Sequence, residues 1–445
     1  MVGKRLVVVG GDAAGMAAAS VARRRDPNME IVALEKGPWT SYSACGIPYL
    51  IGGEVGHLED LVSRPPEKFR EVRIDVRTGH EATGIDLEAR TIEAYNMAHD
   101  RTYRLGFDLL HLATGAVPRR PPIPGLDAGH VHGVQTLADA RDLLADAADR
   151  RPEHVVVVGS GYIGLELAES FLQRGAAVTV VEQGPEVLPA LDPDMGALVS
   201  RAMRSMGINL RLGEILEEVD DSVVRTSAGT IPADLVVLGM GVSPNSELAL
   251  KAGLTVGLRD AIVVDRQQRT SAEGVFAAGD CCQSINIVSG LPAYSALGTV
   301  ANKQGRVAGI NLAGGYATFP GVAGTAVTRI CRTEIGRTGL NTHEATAAGF
   351  GFVTRTIETT GHAGYMPDAD RMTVKMLAEK GNGRLLGAQL VGGPGAAKRV
   401  DVLAASLAAG FSVEDLMMLD LGYAPPFSST WDPVQVAARA LLADL

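Results

Sequence analysis

The chain is poor in the residues that build metal sites and disulfide frameworks. It has four cysteines in 445 residues, Cys45, Cys281, Cys282 and Cys331, and none has the spacing of a zinc ligand set. A chain of this length needs no disulfides; it can bury enough core for two or three domains. It also lacks a surplus of positive charge. Its 41 lysines and arginines against 51 acids give a net charge of −10, which argues against nucleic acid as a partner. Any polyanionic ligand must find a local basic patch. Long hydrophobic runs are missing as well: the first, residues 6–9, is too short for a signal peptide or a membrane span and reads as a strand. No low-complexity tract, repeat array or long linker interrupts the chain. These absences lead to the expectation of a cytoplasmic protein with reduced thiols, no metal and no membrane partner.

What the chain has in quantity is glycine, 53 residues beside a hydrophobic fraction of 46%, which suits an α/β protein with many tight turns. The run 6–9 leads into Gly10-Gly11-Asp12-Ala13-Ala14-Gly15, then into an alanine-rich stretch, 16–25, that predicts a helix. A second apolar run, 31–34, ends in Glu35. Strand, glycine-rich turn, helix, strand and acid make a dinucleotide-binding unit, with pyrophosphate at the helix N-terminus and the acid on the ribose hydroxyls. Asp12 stands where the second glycine of that motif belongs. A carboxylate facing a pyrophosphate repels it, so Asp12 is expected to point away or the backbone to sit differently.

A second unit follows. Residues 155–158 lead into Gly159-Ser160-Gly161-Tyr162-Ile163-Gly164, an intact G-x-G-x-x-G, and residues 177–181 end in Glu182. A glutamate there bonds an adenine ribose 2′-hydroxyl and repels a 2′-phosphate, which favours NADH over NADPH. Because both units keep their acids, two bound dinucleotides are expected rather than one idle copy. Ligand contacts are also expected where strands end in polar or glycine corners, at Thr114-Gly115 and at Gly279-Asp280, with Asp280 reaching a ribityl or phosphate group. The proline-rich 118–124 reads as a crossover into the second unit, and 238–245, with Gly241, as the return. From 324 the pattern changes to strands over 325–330, 350–357, 372–377 and 385–392, then helices over 396–409 and 412–419, an α+β interface module.

The stretch Ser41-Tyr42-Ser43-Ala44-Cys45-Gly46-Ile47-Pro48-Tyr49-Leu50 sets one cysteine between a polar turn and a proline-led helix start. The positive end of a helix dipole favours thiolate, so Cys45 reads as a reactive thiol of lowered pKa rather than a small buried residue. Position 50, where a C-x4-C pair would have its second cysteine, is Leu50. Redox chemistry at Cys45 therefore runs through a mixed disulfide with a small thiol, a persulfide or a sulfenic acid.

This order of parts resembles the FAD-dependent pyridine nucleotide-disulfide oxidoreductases over essentially the whole chain. Within them it is similar to the single-cysteine branch, which holds coenzyme A-disulfide reductases, coenzyme A-persulfide or polysulfide reductases, and NADH oxidases and peroxidases. The resemblance implies an α/β fold of two Rossmann-like domains, for FAD and NAD, plus a C-terminal α+β dimerisation domain. The implied boundaries are 1–149 for the first part of the FAD domain, with a crossover from about residue 116, 150–259 for the NAD(P)H domain, 260–323 for the second part of the FAD domain and 324–445 for dimerisation. FAD contacts are implied for Gly10, Asp12, Ala13, Ala14, Gly15, Glu35, Lys36, Ser43, Ala82, Thr114, Gly115, Gly279, Asp280, Pro292 and Ala296. NADH contacts are implied for Gly159, Gly161, Tyr162, Ile163, Gly164, Glu182 and Gly241.

Oxidases and peroxidases of the branch carry a histidine where this chain has Ala13. Coenzyme A-disulfide reductases instead use two tyrosines reached across a dimer interface, matched here by Tyr365 in His362-Ala-Gly-Tyr365-Met-Pro367 and by Tyr423 in Tyr423-Ala-Pro425-Pro426. The resemblance thus implies a homodimer acting on a coenzyme A-linked thiol, with Cys45, Tyr365 and Tyr423 catalytic. Arg24, Ser41, Arg73 and Asn302 become substrate contacts, the arginines for phosphate. Arg23, Arg24 and Arg25 also read as a solvated helix face, and the asparagine common before the family's cysteine is Ala44 here. Cys281 and Cys282 are expected as buried thiols, Cys331 as interface packing and His362 as structural. The alternatives to coenzyme A disulfide or persulfide reduction are an NADH oxidase or peroxidase, and a flavin-dependent redox sensor without turnover.

Overall fold

The computed structural model describes residues 3–367 and 369–445. Five parallel strands form the first sheet, in the order Val275–Ala277, Leu109–Leu112, Arg5–Val9, Glu30–Glu35, Ile74–Thr78. Their runs are apolar without alternation because both faces are covered. Helices Ala13–Arg25 and Gly298–Leu312 cover one face and touch backbone to backbone: a Cβ on Gly305 would stand 2.3 Å from the Ala14 carbonyl oxygen. An antiparallel sheet of His80–Asp86, Thr91–Asn96 and Arg101–Gly106, absent from the sequence reading, covers the other with Ile92, Ala94 and Leu105.

The second sheet repeats the plan in the order Asn209–Leu212, Ala177–Glu182, His154–Val158, Leu235–Leu238, Val131–Gly133. Its edge strand at 131–133 and the helix Leu137–Arg150 carry this unit upstream of the expected start at 150.

The C-terminal sheet is antiparallel, in the order Ala326–Ile330, Thr333–Gly339, Leu385–Gly392, Arg371–Glu379, Phe352–Thr360. Helices Ala396–Ala409, Val413–Met417 and Pro433–Leu442 pack on it through Val400, Leu403, Leu416, Val434 and Leu441. The helix expected over 412–419 is shorter at both ends, with Ser412 capping it by accepting from the Asp415 amide.

Helix Tyr162–Gln173 is where the three units meet. Ser170 Oγ lies 2.7 Å from the Pro48 carbonyl oxygen, Arg174 Nη1 donates to Ile51 O at 2.8 Å, and Thr328 Oγ1 donates to Glu166 at 2.7 Å. Nearby, Asp192 is 2% exposed and accepts from Thr342, Gln389 and Lys375, which fastens the second unit to the C-terminal sheet. Among the described residues no helix is long and apolar enough to cross a membrane.

Candidate functional site

The first glycine-rich turn leaves no room for a side chain at Gly10 or Gly15. Gly10 sits at φ +109°, where a Cβ would stand 2.0 Å from the Ala113 carbonyl oxygen, and a Cβ on Gly15 would stand 1.9 Å from Gly10 O. Glu35 holds the turn by accepting from the Gly11 amide at 2.6 Å and the Gly37 amide at 2.7 Å. The second turn is its copy, with Glu182 accepting from the Ser160 amide at 3.0 Å and the Gly184 amide at 2.7 Å. Ala14 is buried, Ala13 half-buried, and Tyr162 and Ile163 stand half-buried and exposed at the head of the second unit's helix.

Asp280 ends the strand Val275–Ala277 beside this turn. Gly279, at φ +84°, would bring a Cβ within 3.0 Å of the Ala14 Cβ, and its amide donates to the buried Gln304 at 2.9 Å. The Asp280 carboxylate takes no hydrogen bond from any described residue, and burial pushes its pKa up to about 6. A half-buried carboxylate without a partner, at the carboxyl edge of a parallel sheet and beside a glycine cradle, fits the hydroxyls of a flavin side chain. Tyr294, between Pro292 and Ala296, donates its hydroxyl to Asp280 O at 2.8 Å. Thr114 Oγ1 donates to Asn245 O, and Gly115 and Gly241 turn the two crossings at φ +71° and +81°.

The segment bearing Cys45 is tied to that turn. Ser41 N donates to Gly11 O at 3.0 Å and Tyr42 N to Asp12 Oδ1 at 3.0 Å, while Ser43 N donates to Leu61 O at 2.8 Å. Asp12 therefore turns its carboxylate to the Tyr42 amide, which answers how an acid is tolerated in the turn. Cys45 is exposed and sits in a 3-10 turn, Ala44–Gly46, ahead of a helix of only six residues, Ile47–Gly52. Here the expectation of a lowered pKa fails. Burial, then the charges of Glu166 and Asp280, push the thiol up, and so short a helix does not reverse it. Glu166, missed as a site residue, is itself pushed up by burial. Its only sequence signal was its place two residues after Gly164.

Other candidates separate. Arg23 is 9% exposed and donates to the carbonyls of Pro27 and Arg73, so it is a backbone clamp and not part of a solvated face. Arg24 and Arg73 are exposed, Arg73 at φ +59°. Lys36 turns outward to Glu81 at 2.9 Å, Ala82 is half-buried in the antiparallel sheet, and Asn302 donates to Gly298 O at 2.9 Å. Cys281 and Cys282 are buried thiols with sulfurs 3.6 Å apart. Cys331 is exposed at a hairpin turn with φ +51°, between the strands Ala326–Ile330 and Thr333–Gly339 and not on a strand as expected.

Tyr365 and Tyr423 meet on the C-terminal unit. They are 75% and 52% exposed, and burial followed by the contact with Tyr423 raises the Tyr365 hydroxyl. Ala363 N donates to Pro425 O at 3.1 Å, and Arg399 donates to both Gly361 O and Phe427 O, bracketing the two loops. Phe427, 73% exposed, extends this aromatic surface.

The sequence profile of the pyridine nucleotide-disulphide oxidoreductases matches residues 4–314, and that of their dimerisation domain matches residues 325–434. The chain is similar to a CoA-dependent NAD(P)H sulfur oxidoreductase of Pyrococcus abyssi, 37% identical over 444 residues and 98% of each chain. It is similar also to an NADH oxidase of Methanocaldococcus jannaschii, 36% identical over 448 residues and 99% of each chain. The solved structure of an NAD-dependent persulfide reductase from A. fulgidus superposes with a TM-score of 0.96 at 38% identity, over 99% of this chain and 83% of that one.

Proposed function

Since the chain belongs to the pyridine nucleotide-disulphide oxidoreductases, enzymes that use FAD and NAD(P)H, we propose that it reduces coenzyme A disulfide or coenzyme A persulfide through Cys45. One observation carries the reading. Exposed Cys45, with no second thiol beside it among the described residues, is bonded through its own loop to the first dinucleotide turn and through the next helix to the second unit. For disulfide chemistry a lone thiol in that place borrows its second sulfur from the substrate. The relative named for CoA-dependent sulfur reduction and the neighbour named for persulfide reduction support that borrowed sulfur.

The turn at Gly10, Asp12, Ala13, Ala14 and Gly15, with Glu35, Asp280 and the flanking residues, would hold FAD, and Gly159–Gly164 with Glu182 would hold NADH. Bound FAD supplies a two-electron relay between nicotinamide and sulfur. The Cys45 thiolate attacks one sulfur of the coenzyme A disulfide, forming the Cys45–coenzyme A mixed disulfide and expelling one coenzyme A thiolate. Tyr365 and Tyr423, acting from the second subunit of a homodimer, give that thiolate a proton. Two-electron cleavage of the mixed disulfide returns the Cys45 thiolate and a second coenzyme A, so one NADH and one proton yield two thiols. Arg24, Ser41, Arg73 and Asn302 take the polar parts of coenzyme A in this reading, and Glu182 favours NADH over NADPH. The enzyme works in the cytoplasm, where its free thiols stay reduced.

The test is anaerobic turnover of NADH with coenzyme A disulfide and with coenzyme A persulfide, compared with turnover on oxygen alone. Disulfide or persulfide turnover well above the oxygen rate is expected. A rate on oxygen equal to both would move the enzyme to the oxidase reading that the Methanocaldococcus relative's name carries.

A further inference from the structure

Asp12 breaks two local rules at once. It occupies the position that Gly161 fills in the second unit, and it stands at the N-cap of helix Ala13–Arg25 without capping it. An aspartate at an N-cap usually accepts from an amide of the first helical turn. This one accepts instead from Tyr42 N, 30 residues on. Together with the Ser41 N to Gly11 O bond it makes a two-rung link between the flavin turn and the loop that carries Cys45. The second unit has a glycine at this point.

The position is costly for an anion. Glu35 faces Asp12 from the end of its strand, Asp280 from the neighbouring corner, and Cys45 and Tyr42 from the loop, with Asp139 acting on Tyr42 from the head of helix Leu137–Arg150. None of these groups is a cation, and a pyrophosphate at the helix head would add negative charge. A side chain that weakens its own cofactor site must act elsewhere.

We propose that Asp12 is a positioning residue that fastens the Cys45 loop to the flavin turn, and that loss of its charge loosens the loop. Burial, with the charges of Glu35 and Asp280 adding to it, pushes its carboxyl up to about 6, so the fastening weakens just below neutral pH. A neutral carboxyl is a weaker acceptor for the Tyr42 amide than a carboxylate. The inference builds on Cys45 as the reacting sulfur, but the fastening itself is read at Tyr42 without turnover.

The test is amide hydrogen exchange at Tyr42 in the FAD-loaded protein, for wild type, Asp12→Asn and Asp12→Ala, corrected for intrinsic exchange and followed from pH 7.5 down to 5. Asp12→Ala should exchange about tenfold faster than wild type at pH 7.5, the loss of one charge-assisted bond. Asp12→Asn keeps an oxygen acceptor and should fall between them, with a flat pH response where wild type loosens as the pH falls and its raised carboxyl takes up a proton. FAD content is read by absorbance, so that exchange is compared between samples of equal FAD loading. Equal Tyr42 exchange in wild type and Asp12→Ala overturns the proposal, as does a wild-type response as flat as that of Asp12→Asn. If both expectations hold while Cys45 proves unreactive toward coenzyme A disulfide, the positioning role stands and the proposed substrate falls.

Discussion

Glu166→Gln isolates what holds the Cys45 thiol in its protonated form. After burial, Glu166 is the largest of the influences that raise this thiol, ahead of Asp280 and Asp12. Glutamine removes the charge but keeps an oxygen for the Thr328 hydroxyl, so the junction with the C-terminal sheet stays closed. An unscreened neighbouring charge that shifts a thiol by one pKa step changes its thiolate fraction about tenfold. Cys45 is exposed, and solvent screens part of that effect, which leaves an expected gain of about threefold in thiolate at neutral pH. The sign is fixed: an anion disfavours a second anion, so its removal lowers the thiol pKa. Because burial raises the Glu166 carboxyl, the variant and wild type should converge at low pH, where wild-type Glu166 is itself neutral. The assay is iodoacetamide alkylation of Cys45 followed by peptide mass spectrometry across pH 5 to 10. A Glu166→Gln profile that overlays wild type, or moves to higher pH, refutes the electrostatic account.

Two further outcomes follow from the same geometry. Tyr365→Phe with Tyr423→Phe should lower turnover on coenzyme A disulfide by about a hundredfold, the usual reach of a lost general acid, with the KM for NADH unchanged; steady-state kinetics check it. Asp280 has a carboxyl raised from 3.8 to about 6 in the folded chain, so the folded state binds the extra proton and loses stability as pH rises through that window. Asp280→Asn should therefore stabilise the flavin-free protein by about 3 kcal/mol at neutral pH and by little near pH 4, in urea unfolding, while weakening FAD binding.

Local pattern carried much of the fold. The runs of valine and leucine at 6–9 and 155–158, each closed by a glycine-rich turn and later by an acid, specify strand, turn and helix within one continuous stretch. The strand Thr333–Gly339 escaped because Ile335 is its only large apolar residue; Arg337 and Thr338 are buried there by bonds and neighbours that the sequence does not display. The sheet at 80–106 escaped for the same reason, its strands being rich in Thr, Arg and Glu. At the site, the position of Cys45 was legible but its electrostatics were not. A helix start predicts a favoured thiolate from neighbouring residues alone, whereas Glu166 and Asp280 reach Cys45 from segments far along the chain. The departure at Asp12 was visible at once, and only the fold supplied its partner, Tyr42.

The central claim, a borrowed second sulfur at Cys45, is tested most directly by intact-protein mass spectrometry under non-reducing conditions. Wild type and Cys45→Ser would each be incubated with coenzyme A disulfide, then with NADH. The account predicts one coenzyme A-sized adduct on wild type, lost on adding NADH, and none on Cys45→Ser. An adduct of the same yield on Cys45→Ser, or a wild-type Cys45 that stays unmodified, would contradict it.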